Sequence, residues 1–480
     1  MIDSVHWLER DRFSRTAMTR WVSALLLGVM SLIAAIALPM QVLQGQQRTV
    51  PRDSAASDSA SRDSLTARLL RAEMAIELLR QQLAVEASTV VRTRSRLQLE
   101  LSARILTNGF FTSARVNTVD VPQFALPDAA APPPAATTAG TRALGMSVRQ
   151  TRLGAALSVD SVLGGVFEGD VEMDFFGGVS AGPGDRRLFP EPRLRTARAR
   201  IRWDRGSLFV GSETPLISDL NPISLASVGV PGFVTAGNLW NWIPQVRVSR
   251  DVFVFPAGIR VGVQAAVMAP VSGVLFASET DAVDAAERSA RPYLEGRAHI
   301  RWGESDAQSG APSDVMLGGA GGEFGVGVHR GWIRAAGDSL SVSSAVSVDA
   351  RVMVSSRVEL RGEAYRGQLM RGLGGGAVGQ SFGRALVGES IGRPLRNTAG
   401  WMQLNLQAHT TLITGAGCGR DAVRLDDRPI RQANTSCAAH LLWRPAQPLV
   451  MGLEFRRVQT TYAERTNSAN HINLSFGFEL

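Results

Sequence analysis

The last ten residues, His471 to Leu480, alternate without interruption between apolar and polar or small side chains. Ile472, Leu474, Phe476, Phe478 and Leu480 fall on one side of an extended chain, and His471, Asn473, Ser475, Gly477 and Glu479 on the other. A period of two marks a strand with one greasy and one wet face. In a soluble sandwich the greasy faces would turn inward. A chain that ends on such a strand, after many similar segments, instead predicts a closed barrel in lipid with its wet faces lining a lumen.

Composition agrees with a barrel and excludes a helical bundle. The 480 residues are 45% hydrophobic with a mean hydropathy of +0.02, whereas a spanning helix needs about 20 consecutive apolar residues. Only Trp21 to Pro39 approaches that length. It follows Arg10, Arg12, Arg15 and Arg20 and contains Ala35-Ile36-Ala37, a small-x-small cleavage pattern. Residues 1–43 therefore read as an export signal, and a start at Met18 would leave a short one of ordinary layout. The competing reading is an uncleaved anchor helix. Either way the remainder leaves the cytoplasm.

All 51 basic residues are arginine and the formal net charge is +8. A guanidinium is always charged and makes forked bonds, which suits a wet wall packed with carboxylates; codon bias is the bland alternative. The arginines are interspersed with acidic residues and no basic run with interleaved aromatics occurs, so a nucleic-acid partner is not expected. Cys418 and Cys437 are the two cysteines of an exported chain and are expected to form a disulfide. The six histidines show no ligand spacing, so neither a metal nor a cofactor is implied.

Along the chain, residues 44–62 are polar and read as a flexible linker. From Leu65 a four-three spacing through Leu69, Ala72, Ile76, Leu79 and Leu83 predicts a coiled-coil helix over 63–98, about three heptads long. So short a seam gains stability by self-association; a single amphipathic helix on or in the barrel is the other reading. Residues 99–480 form the barrel, with about sixteen antiparallel strands, an even number as bacterial barrels require.

Read backwards from Leu480, short turns alternate with longer outer loops at 463–469, 419–436, 370–399, 219–244 and 127–139. Cys418 and Cys437 then end neighbouring strands at the base of one loop. The segment from Asp219 to Pro244 is apolar, with Asp219 its only charge. Exposed, it would present a large greasy patch, so it is expected to fold into the barrel and narrow it, carrying Trp240 and Trp242, or to pack at a subunit interface.

Alternation also assigns the chemistry. Glu168, Asp170, Glu172 and Asp174 share the wet face of one strand, and Arg198, Arg200 and Arg202 that of the next. Neighbouring strands thus place an acidic row beside a basic one, either to zip the wall together or to form a charged constriction. Mixed rows at Tyr293, Glu295, Arg297, His299 and Arg301, and at Arg357, Glu359, Arg361 and Glu363, point to a water-filled interior, since charges in a dry core are costly. Arginine-rich outer loops tilt the mouth mildly toward anions. His471, Asn473 and Ser475 include the residue types of a barrel lipase, but they lie two apart on one strand, about 7 Å between neighbours, and face the lumen; no enzyme is expected.

The stretch Val148-Arg149-Gln150-Thr151-Arg152-Leu153-Gly154, then Val166-Phe167-Glu168-Gly169-Asp170-Val171-Glu172-Met173-Asp174-Phe175-Phe176-Gly177, resembles the opening of DcaP-like porins, and Pro244-Gln245-Val246-Arg247 and the closing strand are similar to that group too. The resemblance implies a periplasmic coiled coil, trimers of sixteen-stranded barrels in the Gram-negative outer membrane, and passage of small, often anionic solutes, as in the related phosphate-selective porins. The chain departs from these relatives in having no lysine, which excludes a lysine ladder, and in ending on Leu480 where an aromatic residue is usual. The expectation is a passive porin for small hydrophilic solutes with a mild anion preference; the alternative is a structural or adhesive barrel with a closed lumen.

Overall fold

The computed structural model describes residues 90–92, 97–127, 142–177, 185–273, 283–303, 317, 321–335 and 339–480. The expected signal, the linker and the expected helix as far as residue 89 lie outside them. Within the last part of that expected helix, Val90–Arg92 is a strand, β1, paired antiparallel with Gln98–Glu100 of β2 (Leu97–Thr112). The barrel therefore begins at Leu97, slightly before the expected boundary.

The remaining strands are β3 (Ala143–Ser147), β4 (Arg152–Val162), β5 (Gly165–Gly177), β6 (Glu191–Trp203), β7 (Gly206–Glu213), β8 (Ile243–Val254), β9 (Arg260–Met268) and β10 (Tyr293–Trp302). They continue as β11 (Gly322–Arg334), β12 (Leu340–Ser355), β13 (Val358–Gln368), β14 (Arg396–His409), β15 (Leu412–Val423), β16 (Arg431–Trp443), β17 (Leu449–Tyr462) and β18 (Thr466–Glu479). From β4 onward each pairs antiparallel with the next, and β18 pairs with β2, so the sheet closes on itself. β3 and β4 share one place, pairing with the two halves of β2, and β1 is an appendage. Eighteen strands thus make a ring of sixteen.

Polarity across this wall is inverted relative to a soluble sheet. On β18, Leu474 and Phe476 are 61% and 50% exposed, while Asn473 and Ser475 between them are 0% and 2%. The outer faces of the other strands repeat the pattern: Val210, Val346, Leu404 and Leu453 all point outward and are exposed. Only lipid makes that arrangement favourable, because every exposed leucine would otherwise forfeit about 1.5–3 kcal/mol of burial. Trp203 and Trp443 sit at the ends of their strands on the short-turn rim, where an indole can meet the membrane interface.

Three expected loops are shorter than sequence reading gave. β15 runs to Val423 and β16 starts at Arg431, β14 starts at Arg396, and β18 starts at Thr466. The strands continue past the apolar band, where polar side chains point both ways and backbone pairing leaves no hydropathy signal. Cys418 and Cys437 consequently lie within β15 and β16, not at a loop base. They are directly opposite in register, 4.0 Å apart at Cα, and are bonded, with Cys418 facing away from the lumen. Between β3 and β4 the strand is broken at residues 148–151, where Arg149 and Gln150 turn into the barrel and are buried.

Candidate pore and the belt that narrows it

The apolar loop between β7 and β8, residues 214–242, runs inside the lumen, and its hydrogen bonds meet the wall in ring order. Leu216 N–H donates to Glu295 on β10 (2.6 Å), and Ser218 Oγ and Leu220 N–H donate to Glu363 on β13 (2.6 and 2.7 Å). Ile223 N–H donates to Gln403 on β14 (2.7 Å) and Ser224 Oγ to Glu454 on β17 (2.5 Å). Asn108 on β2 then donates to Leu225 O (3.3 Å) and Gln150 to Ala226 O (3.0 Å). Finally Arg195 and Arg193 on β6 donate to Val228 O (2.5 Å) and Gly229 O (2.6 Å). The segment is a belt around the inner wall.

From Phe233 the belt turns back. Phe233 and Thr235 adopt left-handed φ angles of 60° and 58°, a conformation bulky or β-branched residues rarely take, and Asn434 on β16 donates to Thr235 O (3.1 Å). At Gly419 on β15 a Cβ would sit 2.1 Å from Ala236 O, so only glycine admits the belt's backbone there. Apolar side chains fill the remaining gaps. Leu216, Ile217 and Leu239 pack with Met268, Tyr293 and Ile333, and Ile223, Leu225 and Val228 pack with Leu106, Leu442 and Val450. Leu317, in the connection after β10, packs against this second cluster.

Two other connections add to the infill. Val121 packs on Val230 and Val234, with Thr235 Oγ1 donating to Gln123 O (3.0 Å), and Val378 N–H donates to Asp421 on β15 (2.9 Å).

The wall facing the belt at β4–β6 is organised differently. Glu168 pairs with Arg202 (2.6 Å), Asp170 with Arg198 (2.7 Å), and Asp174 with Arg193 (2.6 Å) and Arg195 (3.2 Å). Glu172 lies 3.8 Å from Arg152 and 3.7 Å from Arg195. Arg198 also reaches Glu213 on β7 (2.7 Å). A bulge between Glu172 and Met173, opposite Thr196 and Leu194, inserts Arg195 and changes the parity of β6. Arg193 and Arg195 therefore face the lumen together with Arg198, Arg200 and Arg202. Strict alternation from Arg198 upward placed them outside, so sequence reading missed both; the signal was a second arginine pair in the opposite phase.

Exposure separates this wall from the rest. Side chains of Glu168, Asp170 and Glu172 are 28%, 26% and 28% exposed, and Asp219 of the belt is 22% exposed. Apart from Arg301, 25% exposed, and Arg357 at the turn, the mixed rows on β10 and β13 are not washed by water as expected. Arg297 and Arg361 are 1% exposed and Glu359 0%, because the belt covers them. Their charges are met locally, by Asp349 and Glu323 for Arg297 and by Glu359 and Asn221 O for Arg361.

Trp240 and Trp242 stand on the belt where it faces the ladder. Their rings are edge to face at 4.9 Å, with the Arg195 guanidinium 4.4 Å and that of Arg193 5.2 Å from the Trp242 centroid. His471, by contrast, bonds Thr112 (2.9 Å), while Asn473 and Ser475 bond each other and Asn108. They are buried wall contacts with no His-to-Ser link. Among the described residues no cluster of three or more metal-ligating side chains occurs.

A closed ring of sixteen strands, an apolar outer face, a charged inner face and an infolded third loop define a transmembrane β-barrel of the porin type. No family model matches the chain, and no curated protein does. Among solved structures it is similar to the outer membrane channel DcaP of Acinetobacter baumannii. The TM-score is 0.58 at 12% identity, covering 81% of this chain and 99% of that one. OmpF of Salmonella typhi follows at 0.48 and 8% identity, over 82% and 100% of the two chains. A loop-deletion mutant of OmpT, an outer membrane protein of Vibrio cholerae, matches at 0.46 and 9%, over 80% and 100%. The DcaP likeness bears out the resemblance at the level of fold.

Proposed function

We propose that this protein is an outer-membrane porin in which small hydrophilic solutes diffuse passively along the β4–β7 wall, between the charged ladder and the belt. One observation carries the reading: Glu168, Asp170 and Glu172 remain a quarter or more exposed, while the carboxylates Glu295, Glu359 and Glu363 on β10 and β13 are sealed. The proposal includes a mild anion preference, drawn from the arginines of the outer loops at the mouth. The pore-lining set is Glu168, Asp170, Glu172, Arg198, Arg200 and Arg202, with Trp240 and Trp242 on the narrowing segment; Asp174, expected in the lining, is fully buried and anchors Arg193 and Arg195, which hold that segment in place.

The domain layout extends the proposal: an export signal over 1–43, a linker over 44–62, a periplasmic coiled coil from residue 63 that ends before the strand at Val90, and trimers formed through that helix and the barrel walls. A closed structural or adhesive barrel is the second reading, favoured by the depth of the infill at β10–β18. Single-channel recording in a planar bilayer under a salt gradient decides between them. Stable steps with a mildly anionic reversal potential support the porin; no conductance from folded protein supports the closed barrel.

A further inference from the structure

Every carboxylate of the ladder has an arginine within ion-pair distance, Glu172 lying 3.8 Å from Arg152 and 3.7 Å from Arg195. Glu168 is held by Arg202, Asp170 by Arg198, Asp174 by Arg193 and Arg195, and Glu213 by Arg198. Arg200 is different. It lies directly opposite Glu168 in the register of β5 and β6, yet the Glu168 carboxylate has gone to the diagonal Arg202. Among the described residues the Arg200 guanidinium has no ion pair or hydrogen bond. It rests 5.9 Å from the ring centroid of Phe209, its cross-strand neighbour on β7. Arg247 approaches the same ring at 5.6 Å, but it is already held by Thr214 O (2.8 Å) and Gln245.

We infer that Arg200 is the specificity-determining residue of the passage, the one cation whose donors meet a permeating oxyanion. This rests on the porin reading above. A paired arginine presents a nearly neutral dipole to a solute, whereas an uncommitted guanidinium offers a full charge and a fork of N–H donors matched to a carboxylate, sulfate or phosphate. Phe209 holds its planar group in place without using those donors.

The test compares full-length wild type with Arg200→Gln and Arg200→Lys in planar bilayers. The pair-neutral control is the double variant Asp251→Asn/Arg260→Gln, which removes an ion pair of 3.0 Å on the β8–β9 hairpin, outside the pore-lining set. The readouts are chloride-over-potassium selectivity and block by added sulfate. Arg200→Gln is expected to lower the selectivity ratio by roughly two- to fourfold, the effect of one unit charge about 5–10 Å from the ion path in water, and to raise the half-blocking sulfate concentration by at least as much. Arg200→Lys keeps the selectivity but weakens the block, because the charge remains and the fork does not. The double variant changes neither by more than a small fraction.

If wild type conducts and Arg200→Gln behaves like it, or the double variant shifts as far, the assignment is overturned while the porin reading survives. Absence of conductance in folded wild type overturns both. Should Arg200→Gln fail to assemble, Arg200→Lys decides: unchanged sulfate block contradicts the assignment.

Discussion

The β5–β6 wall and the β13–β17 wall are written in the same alphabet and meet opposite fates. Both alternate apolar residues outward with charged residues inward, yet Glu168 and Asp170 stay partly wet while Glu359, Arg361 and Glu454 are sealed. The strands themselves do not decide this. The belt does, because between Leu216 and Ser227 it satisfies the β13–β17 wall group by group with its own backbone and hydroxyls. Among the described residues its hydrogen bonds to the β5–β6 wall come from Arg193 and Arg195, with Phe176 packing on Val230 beside them. The lesson is that an inward charge reports a lumen, and only its cover reports a path.

The comparison breaks most visibly on the sealed side. Glu363→Ala removes the acceptor of Ser218, Leu220 and the Trp401 indole at once, and buried donors left unsatisfied cost about 1–3 kcal/mol each. The variant should lose several degrees of thermal stability by circular dichroism and give a larger, noisier conductance as the belt loosens. A next, smaller effect is expected at the narrowing itself. Trp242→Ala removes a ring that stacks on Arg195 and faces the ladder, and should raise single-channel conductance about 1.5-fold with the selectivity ratio nearly unchanged.

On the wet side, Glu168→Gln breaks one exposed pair and should cost less than about 1 kcal/mol in urea-induced unfolding. A loss as large as that of Glu363→Ala would erase the distinction between the walls. The smallest effect concerns the outer rim. Burial alone would raise the Asp427 carboxyl, but hydrogen bonds from Arg396 outweigh it and hold it below the ordinary carboxylate value. A carboxyl lowered in the folded state contributes stability above its unfolded value, near 4, and loses that contribution as pH falls through the folded one. With Arg396 40% exposed the effect is at most about 1 kcal/mol. Hydrogen exchange at residues 424–430 should quicken in acid relative to the intrinsic rate, and Asp427→Asn should abolish the difference.

Much of this molecule was legible in its sequence. Alternation ending at Leu480 gave the closed barrel and its strand number, and the lone charge at Asp219 in a long apolar loop gave the infolding. Strand ends at Val423 and Arg431 were hidden because pairing outlasts the apolar band. Arg193 and Arg195 were hidden because a single bulged residue changes phase, and the dry state of Arg361 was hidden because it depends on a segment more than a hundred residues away in the chain. Pattern reads what one strand does to its own faces; contact between distant segments leaves no period.

The most direct test of the account is accessibility to a thiol reagent during conduction, in a Cys418→Ser/Cys437→Ser background. Ser158→Cys lies opposite Glu168 on the half-buried wall, and Ser475→Cys lies under the belt, 2% exposed. A cationic methanethiosulfonate added to a conducting channel should reduce current through the Ser158→Cys protein within seconds and leave the Ser475→Cys protein unchanged. Equal block at both positions, or block at Ser475→Cys alone, would contradict a passage confined to the ladder side.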